Sequence, residues 1–183
     1  QKNVILKVGD KIQTTILKFI DLVDEVVIPC KNDVMELILN SQVYSDKIKF
    51  ALAGKTRQES IYNGLQICSN PQIVLIHDGA RPFIDIETIR RTIELTVEKK
   101  AVVVGSMAVD TIKVVENGKI IETLDRKKIF QAHTPQAFDY SLIKEIHEKY
   151  KNDTNFTDDS SMAEKYGVSV FVLEEIEKNT KNL

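Results

Sequence analysis

Short apolar runs alternate along this chain with stretches in which apolar residues recur every three or four positions. The run at 73–76 is uninterrupted and mostly β-branched, and it leads directly into the segment 77–82, His-Asp-Gly-Ala-Arg-Pro. A short apolar run bounded by turn residues is typical of a strand that is buried on both faces of a parallel sheet. We therefore predict a buried strand over 73–77, with polar side chains at its carboxyl end.

The remaining elements follow from the same two patterns. Apolar runs predict strands over 3–6, 25–29, 48–52, 101–105, 129–136 (ending in a polar turn) and 168–173. Helical spacing predicts helices over about 13–22, from 34 towards 43, from Ser60 onward, from an Asp85 cap to about 99, over 139–150, and from a cap at Asp158 or Asp159 to Gly167. Alternation of strands and helices predicts an α/β fold, with a doubly wound, mostly parallel sheet.

The alternation breaks after residue 109. The segments 110–116 and 119–123 both alternate, and Asn117-Gly118 joins them, which is the strongest short-range signal for a β-hairpin. An isolated hairpin is only marginally stable, so we expect this one to lie against another surface, such as a second copy of the chain. The basic cluster that follows, 125–128, is by itself typical of a solvated turn.

Composition restricts the class of protein. The chain has 183 residues, 43% of them apolar, and a net charge of −2, which favours one domain and disfavours nucleic acid as a main partner. No apolar run approaches the roughly 18 residues of a membrane span, so no membrane is expected. Cys30 and Cys68 lack metal-ligand spacing and indicate structural thiols in a reducing cytoplasm. Because the chain begins with Gln1, we expect the natural protein to be longer.

The candidate functional residues all lie in segments that follow predicted strands. They comprise the loop 54–60, the segment 78–82, Thr111, Arg126, Thr134 and Thr157. Hydroxyl and basic side chains, together with backbone amides expected to be exposed at Gly54 and Gly79, suit a phosphorylated or sugar-like ligand. Position alone leaves two interpretations of Asp78 and Arg81 about even: a role in ligand binding, or a helix cap at Asp78 with a surface ion pair at Arg81.

The histidines do not indicate a catalytic pair. His77 and His133 follow apolar runs, where a hydrogen-bonded buried imidazole is the more common outcome, and His147 is expected on the surface. We find no nucleophile beside a base and no cluster with metal-ligand spacing. If a metal acts here, a ligand phosphate brings it, as is common for Mg²⁺.

Five motifs then resemble one family. The segments 54–60 (GKTRQES), 77–82 (HDGARP), 109–113 (VDTIK), 134–136 (TPQ) and 157–159 (TDD) occur in the order and approximate spacing of the 2-C-methyl-D-erythritol 4-phosphate cytidylyltransferases. The resemblance covers about 48–173. The related ribitol-5-phosphate cytidylyltransferases share several motifs, but the forms at 77–82, 109–113 and 157–159 favour the methylerythritol enzymes.

The resemblance implies a single Rossmann-like nucleotidyltransferase domain over 1–183, with a protruding β-arm at about 110–130 that holds a homodimer. It also implies the reaction of the non-mevalonate isoprenoid pathway: the phosphate of methylerythritol phosphate attacks the α-phosphorus of CTP, and pyrophosphate leaves. Mg²⁺ would arrive on the CTP phosphates. The protein would supply positioning and charge neutralisation rather than a nucleophile.

The resemblance also implies roles for individual residues. Nucleotide contacts would come from Gly54, Lys55 (through its backbone), Ser60, Asp78, Gly79 and Ala80. Contacts to methylerythritol phosphate would come from Asp78, Arg81, Thr134 and Thr157. Thr111 and Arg126 would reach the partner's site from the arm, where Arg126, as the catalytic residue, would hold the substrate phosphate and orient its attack.

The chain departs from the family in three places. The family's glycine-rich loop, whose Arg and Lys grip the triphosphate, is expected between Leu6 and Lys7 but does not occur in the sequence. We expect a second interruption between Lys11 and Ile12, and a third after Glu174, where the family carries a phosphate-binding Lys. An intact mass of the natural protein tests all three. The alternative of another class is a nucleotide-binding dimeric scaffold that has lost its triphosphate grip.

Overall fold

The computed structural model describes residues 1–9 and 11–176, and its strands and helices lie within these ranges. The strands are β1 (Lys2–Lys7), β2 (Glu25–Cys30), β3 (Ile48–Leu52), β4 (Ile73–Asp78), β5 (Ala101–Met107), β6 (Lys113–Glu116), β7 (Lys119–Thr123), β8 (Phe130–Asp139) and β9 (Phe171–Glu174). The helices are α1 (Ile12–Phe19), α2 (Asn32–Leu39), α3 (Arg57–Ile67), α4 (Ile86–Lys99), α5 (Tyr140–Tyr150) and α6 (Asp159–Tyr166), with a short 3-10 helix at Arg126–Lys128.

Seven strands form one sheet in the order β3-β2-β1-β4-β8-β5-β9. Six of them run parallel, and β8 is antiparallel to both of its neighbours, β4 and β5. The chain builds outward from β1 through β2 and β3, and then returns to place β4 on the other side of β1. This reversal creates a crevice at the carboxyl ends of β1 and β4, where open α/β sheets bind ligands. The predicted α/β fold with a mostly parallel sheet is confirmed.

Both faces of the sheet are buried, which explains the uninterrupted apolar runs. On β1, Val4 and Leu6 belong to one core cluster with helices α1, α2 and α4, and Ile5 belongs to a second cluster with α3, α5 and α6. Each helix contributes residues at i, i+3 or i+4 spacing, such as Ile12, Ile16 and Phe19 of α1. The predicted arrangement of helices on both faces is therefore confirmed.

The hairpin forms a separate two-stranded sheet, β6–β7. Asn117 and Gly118 both have positive φ, at 49° and 78°, as the two-residue turn that suits twisted strands requires. Three of the four apolar side chains of this sheet are more than half exposed: Val115 at 55%, Ile120 at 63% and Ile121 at 55%. The predicted hairpin is confirmed, and its apolar side chains remain uncovered in the protomer.

Several predicted boundaries are wrong. Helix α1 ends at Phe19 rather than at 22, α2 ends at Leu39 before Val43, and β9 begins at Phe171 rather than at 168. Strand β8 continues through Thr-Pro-Gln to Asp139 instead of ending in a polar turn, because β4 and β5 pair with it on its two sides. Sheet pairing here overrides the local turn preference of the sequence.

The interruptions predicted for the natural protein stay predictions, and the first two segments are ordered as follows in this chain. Leu6 and Lys7 are consecutive residues of β1, opposite His77 and Asp78 of β4. The amide of Thr15 donates to the Lys11 carbonyl at 3.0 Å, across the second predicted interruption. The phosphate-binding Lys expected after Glu174 would fall at 177–183, which lie outside the described residues. No helix in the described part of the chain is long and apolar enough to cross a membrane.

Helix α3 begins at Arg57, three residues before the predicted start at Ser60. Its N-cap is Thr56, whose hydroxyl accepts a hydrogen bond from the amide of Glu59 at 3.1 Å. The cap therefore lies inside the segment 54–60 that was expected to be a loop.

Thr56→Ala removes this cap. We expect it to lower the free energy of unfolding by about 1 kcal/mol, because the Glu59 amide loses its acceptor. Thr56→Ser is the matched control, since its hydroxyl can make the same bond. Urea unfolding curves of the two variants and the wild type measure the difference, and equal losses in both variants would contradict the cap.

Candidate functional site

A cavity of about 360 Å³ opens at the carboxyl ends of β1 and β4, in the crevice where the order of strands in the sheet reverses. Its lining carries basic, acidic, hydroxyl and amide side chains from five separate segments: Lys7, Arg57, Asp78, Arg81, Ala132, His133, Thr134, Gln136, Thr157 and Asp158. Four of the residues predicted to contact the second substrate are among them, namely Asp78, Arg81, Thr134 and Thr157. A single protomer thus brings these residues together.

Gly79 fixes the turn that carries Asp78 and Arg81. Its amide donates to the Lys7 carbonyl at 2.7 Å, and the Thr15 hydroxyl donates to its carbonyl at 2.9 Å. A Cβ atom at this position would lie 2.5 Å from the Lys7 carbonyl oxygen, so only glycine fits without displacing the backbone. The predicted exposure of the Gly79 amide is wrong, because β1 approaches too closely.

A chain of hydrogen bonds holds β4 to β8 behind the cavity. The Asp78 amide donates to the Thr134 hydroxyl at 3.0 Å, and that hydroxyl donates to Nδ1 of His77 at 3.1 Å. Nε2 of His77 in turn donates to the Arg81 carbonyl at 3.0 Å. His77 is fully buried, and this burial lowers its pKa to about 4. The imidazole is therefore neutral and structural, as the sequence predicts.

Gln136 of β8 positions the start of α6 at the cavity rim. Its side-chain amide donates to Oδ2 of Asp158 at 2.8 Å, and its carbonyl oxygen accepts from the Ser160 amide at 2.9 Å. Oδ1 of Asp158 caps α6 by accepting from the Ser161 amide at 2.9 Å. These contacts place Thr157, which precedes the cap, on the cavity wall. The sequence left the cap open between Asp158 and Asp159, and the structure selects Asp158.

Arg57 joins the site from the start of α3, although no sequence motif indicated a role for its side chain. Its Nη2 forms a close ion pair with Oδ2 of Asp159 at 2.7 Å, and its Nε lies 3.9 Å from Oδ1 of Asp78. Nε of Arg81 lies 3.7 Å from Oδ2 of the same Asp78 carboxylate. Asp78 thus sits between two guanidinium groups.

The prediction that His147 lies on the surface is wrong. It is fully buried, and its Nε2 donates to Oδ1 of Asp159 at 2.8 Å. The sequence feature that indicates its burial is its position four residues after Ile143, on the face of α5 that packs against the core. Burial by itself raises the pKa of Asp159, but the charge of Arg57 and the hydrogen bond from His147 outweigh it and hold that pKa well below its usual range.

The loop predicted to recognise the nucleotide is closed on itself. The Gly54 amide donates to the Ser60 hydroxyl at 2.9 Å, and the Lys55 amide donates to Oε2 of Glu59 at 2.7 Å. The expected exposure of the Gly54 amide is therefore wrong in this conformation. The loop nevertheless adjoins the cavity, since its residue Arg57 lines the wall.

Thr111 and Arg126 lie away from the cavity, between β5 and β8. Arg126 is exposed, and its Nη1 donates to the Val109 carbonyl at 2.6 Å. Neither residue is among the described residues that line the cavity. Among residues 1–9 and 11–176, no group of three or more His, Cys, Asp or Glu side chains could hold a metal ion.

The depressed pKa of His77 predicts a pH dependence of stability. The unfolded state takes up a proton near pH 6.5 and the folded state only near pH 4, so stability is highest above pH 6.5 and falls towards pH 4. The full loss is roughly 3 kcal/mol. Urea unfolding at several pH values measures it, with His77→Gln as the control. The same decline in both proteins would contradict the assignment.

Sequence comparisons agree with this geometry. The sequence profile of IspD, 2-C-methyl-D-erythritol 4-phosphate cytidylyltransferase, matches residues 6–182. The chain is 47% identical to the protein of that name from Clostridioides difficile, over 81% of this chain and 65% of the relative. It is 38% identical to the one from Bacillus pumilus, over 76% of this chain and 62% of the relative. The chain thus spans slightly less than two thirds of the length of these relatives.

Solved structures give the same result. The 4-diphosphocytidyl-2C-methyl-D-erythritol synthase from Anaerococcus prevotii superposes with a TM-score of 0.88 at 27% identity, over 99% of this chain and 89% of that one. The 2-C-methyl-D-erythritol 4-phosphate cytidylyltransferase from Francisella tularensis gives 0.85 at 27% identity, over 100% and 94%. The chain belongs to the 2-C-methyl-D-erythritol 4-phosphate cytidylyltransferase family.

Proposed function

We propose that this protein transfers a cytidylyl group from CTP to 2-C-methyl-D-erythritol 4-phosphate, giving CDP-methylerythritol and pyrophosphate in isoprenoid precursor synthesis. The observation that carries the proposal is the convergence of three sequence motifs on one cavity. Asp78 and Arg81, Thr134, and Thr157 come from separate parts of the chain and line the same wall. Family membership supplies the reaction for which such a cavity is suited.

The reaction requires two anionic phosphates to approach in line. Lys7, Arg57 and Arg81 supply positive charge in the cavity, and Thr134 and Thr157 supply hydroxyls. We assign the sugar phosphate to the side of Arg81, Thr134 and Thr157, with Asp78 accepting from a substrate hydroxyl. Preorganised charges of this kind favour a transition state in which negative charge is shared between the attacking and leaving oxygens.

The nucleotide would occupy the side of the cavity next to the loop 54–60. We assign the base to the loop residues Gly54, Lys55 and Ser60, and the ribose to the segment 78–80, which includes Gly79 and Ala80. Hydrogen bonds from the Gly54 and Lys55 amides to the side chains of Ser60 and Glu59 already order this loop. A loop ordered before binding loses little conformational freedom when the ligand arrives.

Mg²⁺ is proposed to enter on the CTP phosphates. Such ions keep several waters and phosphate oxygens as ligands and need at most one or two carboxylates from the protein. The cavity fits this role, since Asp78 and Asp158 line it without forming a larger acidic cluster in the described chain. When bound, Mg²⁺ would neutralise charge on the triphosphate.

The hairpin β6–β7 is proposed as the dimerisation arm, at about 110–130, of a single nucleotidyltransferase domain over 1–183. Its exposed side chains Val115, Ile120 and Ile121 would be covered by a second copy of the chain. Thr111 and Arg126 would then reach the partner's cavity, and Arg126 would hold and orient the substrate phosphate. The exposed guanidinium of Arg126 is consistent with this role.

A cytoplasmic location is part of the proposal. Cys30 and Cys68 are both buried free thiols. Free thiols are typical of proteins in reducing compartments. Soluble phosphorylated substrates such as CTP are also found there.

The proposed reaction predicts pyrophosphate release from CTP in the presence of methylerythritol phosphate, measured with a coupled phosphate assay. Ribitol 5-phosphate is the alternative substrate for comparison, and we expect a much smaller kcat/KM with it. A larger kcat/KM with ribitol 5-phosphate would identify the protein as a ribitol-5-phosphate cytidylyltransferase instead. No release with either substrate from the full-length natural protein would favour a binding scaffold.

The arm predicts complementation between two inactive variants. Arg81→Ala damages the cavity of its own subunit, and Arg126→Ala damages the partner's, so each should lose turnover by orders of magnitude. In a mixed dimer one site has both arginines. Random mixing should therefore recover about a quarter of wild-type activity for a symmetric dimer. If mixing recovers none, Arg126 does not act across the interface.

A further inference from the structure

Arg57 lies where three of the five segments that line the cavity meet, namely the loop 54–60, the end of β4 and the start of α6. It is the first residue of α3, within the segment assigned to the nucleotide base, and its side chain is only 24% exposed. The guanidinium extends to Asp159 at the start of α6 and to Asp78 at the end of β4. One side chain therefore contacts residues on the sides assigned to the nucleotide and to the sugar phosphate.

Asp159 anchors Arg57 from the buried side. The Asp159 side chain is 1% exposed, and its other oxygen accepts from His147, whose side chain is fully buried. A buried carboxylate without its cation is strongly destabilising, so this pair resists separation. His147 thus holds Asp159, and Asp159 in turn holds the guanidinium of Arg57 from the core side.

Asp78 is the group that this anchored guanidinium faces in the cavity. Its carboxylate is 13% exposed and lies between Arg57 at 3.9 Å and Arg81 at 3.7 Å. Within the described part of the chain, its Oδ1 accepts no hydrogen bond. A buried acceptor left open in this way is satisfied when a ligand hydroxyl binds. Of the two guanidinium groups, Arg57 is the one that faces this open oxygen.

Arg57 also lines a second cavity. This cavity, of about 100 Å³, adjoins the first, since Arg57, Thr157 and Asp158 line both. Shortening the Arg57 side chain would enlarge the space beside Asp78 and give that carboxylate more room to move. A catalytic site loses rate when its groups are free to move by about 1 Å.

We propose that Arg57, anchored by the Asp159–His147 pair, is a positioning residue that orients the Asp78 carboxylate and couples the nucleotide loop to the sugar-phosphate side of the cavity. The proposal rests on the proposed function. It assigns to Arg57 an action through Asp78, not a contact with the reacting atoms.

Two variants separate positioning from simple stability. Arg57→Met leaves Asp159 buried without its cation, so it should lower both the midpoint of thermal unfolding and kcat/KM for methylerythritol phosphate, the latter by about 100-fold. In Arg57→Met with Asp159→Asn, the uncompensated charge is removed while His147 keeps an acceptor. We expect the unfolding midpoint to recover and kcat/KM to stay low.

Arg57→Lys should give an intermediate kcat/KM, because an ammonium cannot contact both carboxylates with a planar fork. Arg90→Met, on the exposed surface of α4, is the matched control and should behave as wild type. Calorimetry measures binding of methylerythritol phosphate independently of turnover.

Wild-type kcat/KM in the double variant would overturn the proposal, because Arg57 would then be only a stabilising partner of Asp159. Near wild-type kcat/KM in Arg57→Met would overturn it equally. Those results leave the proposed function intact. A wild-type protein that neither binds methylerythritol phosphate nor releases pyrophosphate would instead refute the proposed function, and this inference with it.

Discussion

The pairing of β4 with β1 and β8 is the constraint on which the rest of this structure depends. β4 is buried on both faces, and its last residue, Asp78, lies opposite Lys7 of β1. Because the order in which strands are added to the sheet reverses between these two parallel strands, their carboxyl ends open into a crevice. The close approach of β1 to Gly79 then leaves only one path for the backbone, and that path carries Asp78 and Arg81 to the cavity wall.

The charged side chains at the cavity form ion pairs with one another. Arg57 contacts both Asp159 and Asp78, and Arg81 contacts Asp78 from the other side. Arrangements of this kind stabilise a fold only modestly, because desolvation offsets the attraction between the charges. Their value lies in fixed geometry, which the proposed transfer of a cytidylyl group would need before its substrates arrive.

The sheet and the hairpin were predictable from the sequence, because they depend on local patterns and on a general rule of α/β topology. The meeting of Asp78, Arg81, Thr134 and Thr157 was expected from the resemblance of the motifs to the family. The sequence missed features that depend on contacts between distant segments. Strand β8 runs through a turn-like Thr-Pro-Gln because two neighbours pair with it. His147 is buried because α6 covers it, and Arg57 matters because Asp159, far along the chain, anchors it.

If one crevice holds both substrates, amide hydrogen exchange with and without CDP-methylerythritol shows it most directly. We predict slower exchange in four segments that are distant in sequence, 54–60, 77–82, 132–136 and 157–160, with further protection at 109–113 and 125–128 if the arm of a partner closes over the site. Unchanged exchange in those four segments, with protection confined to another face of the sheet, would contradict a shared crevice.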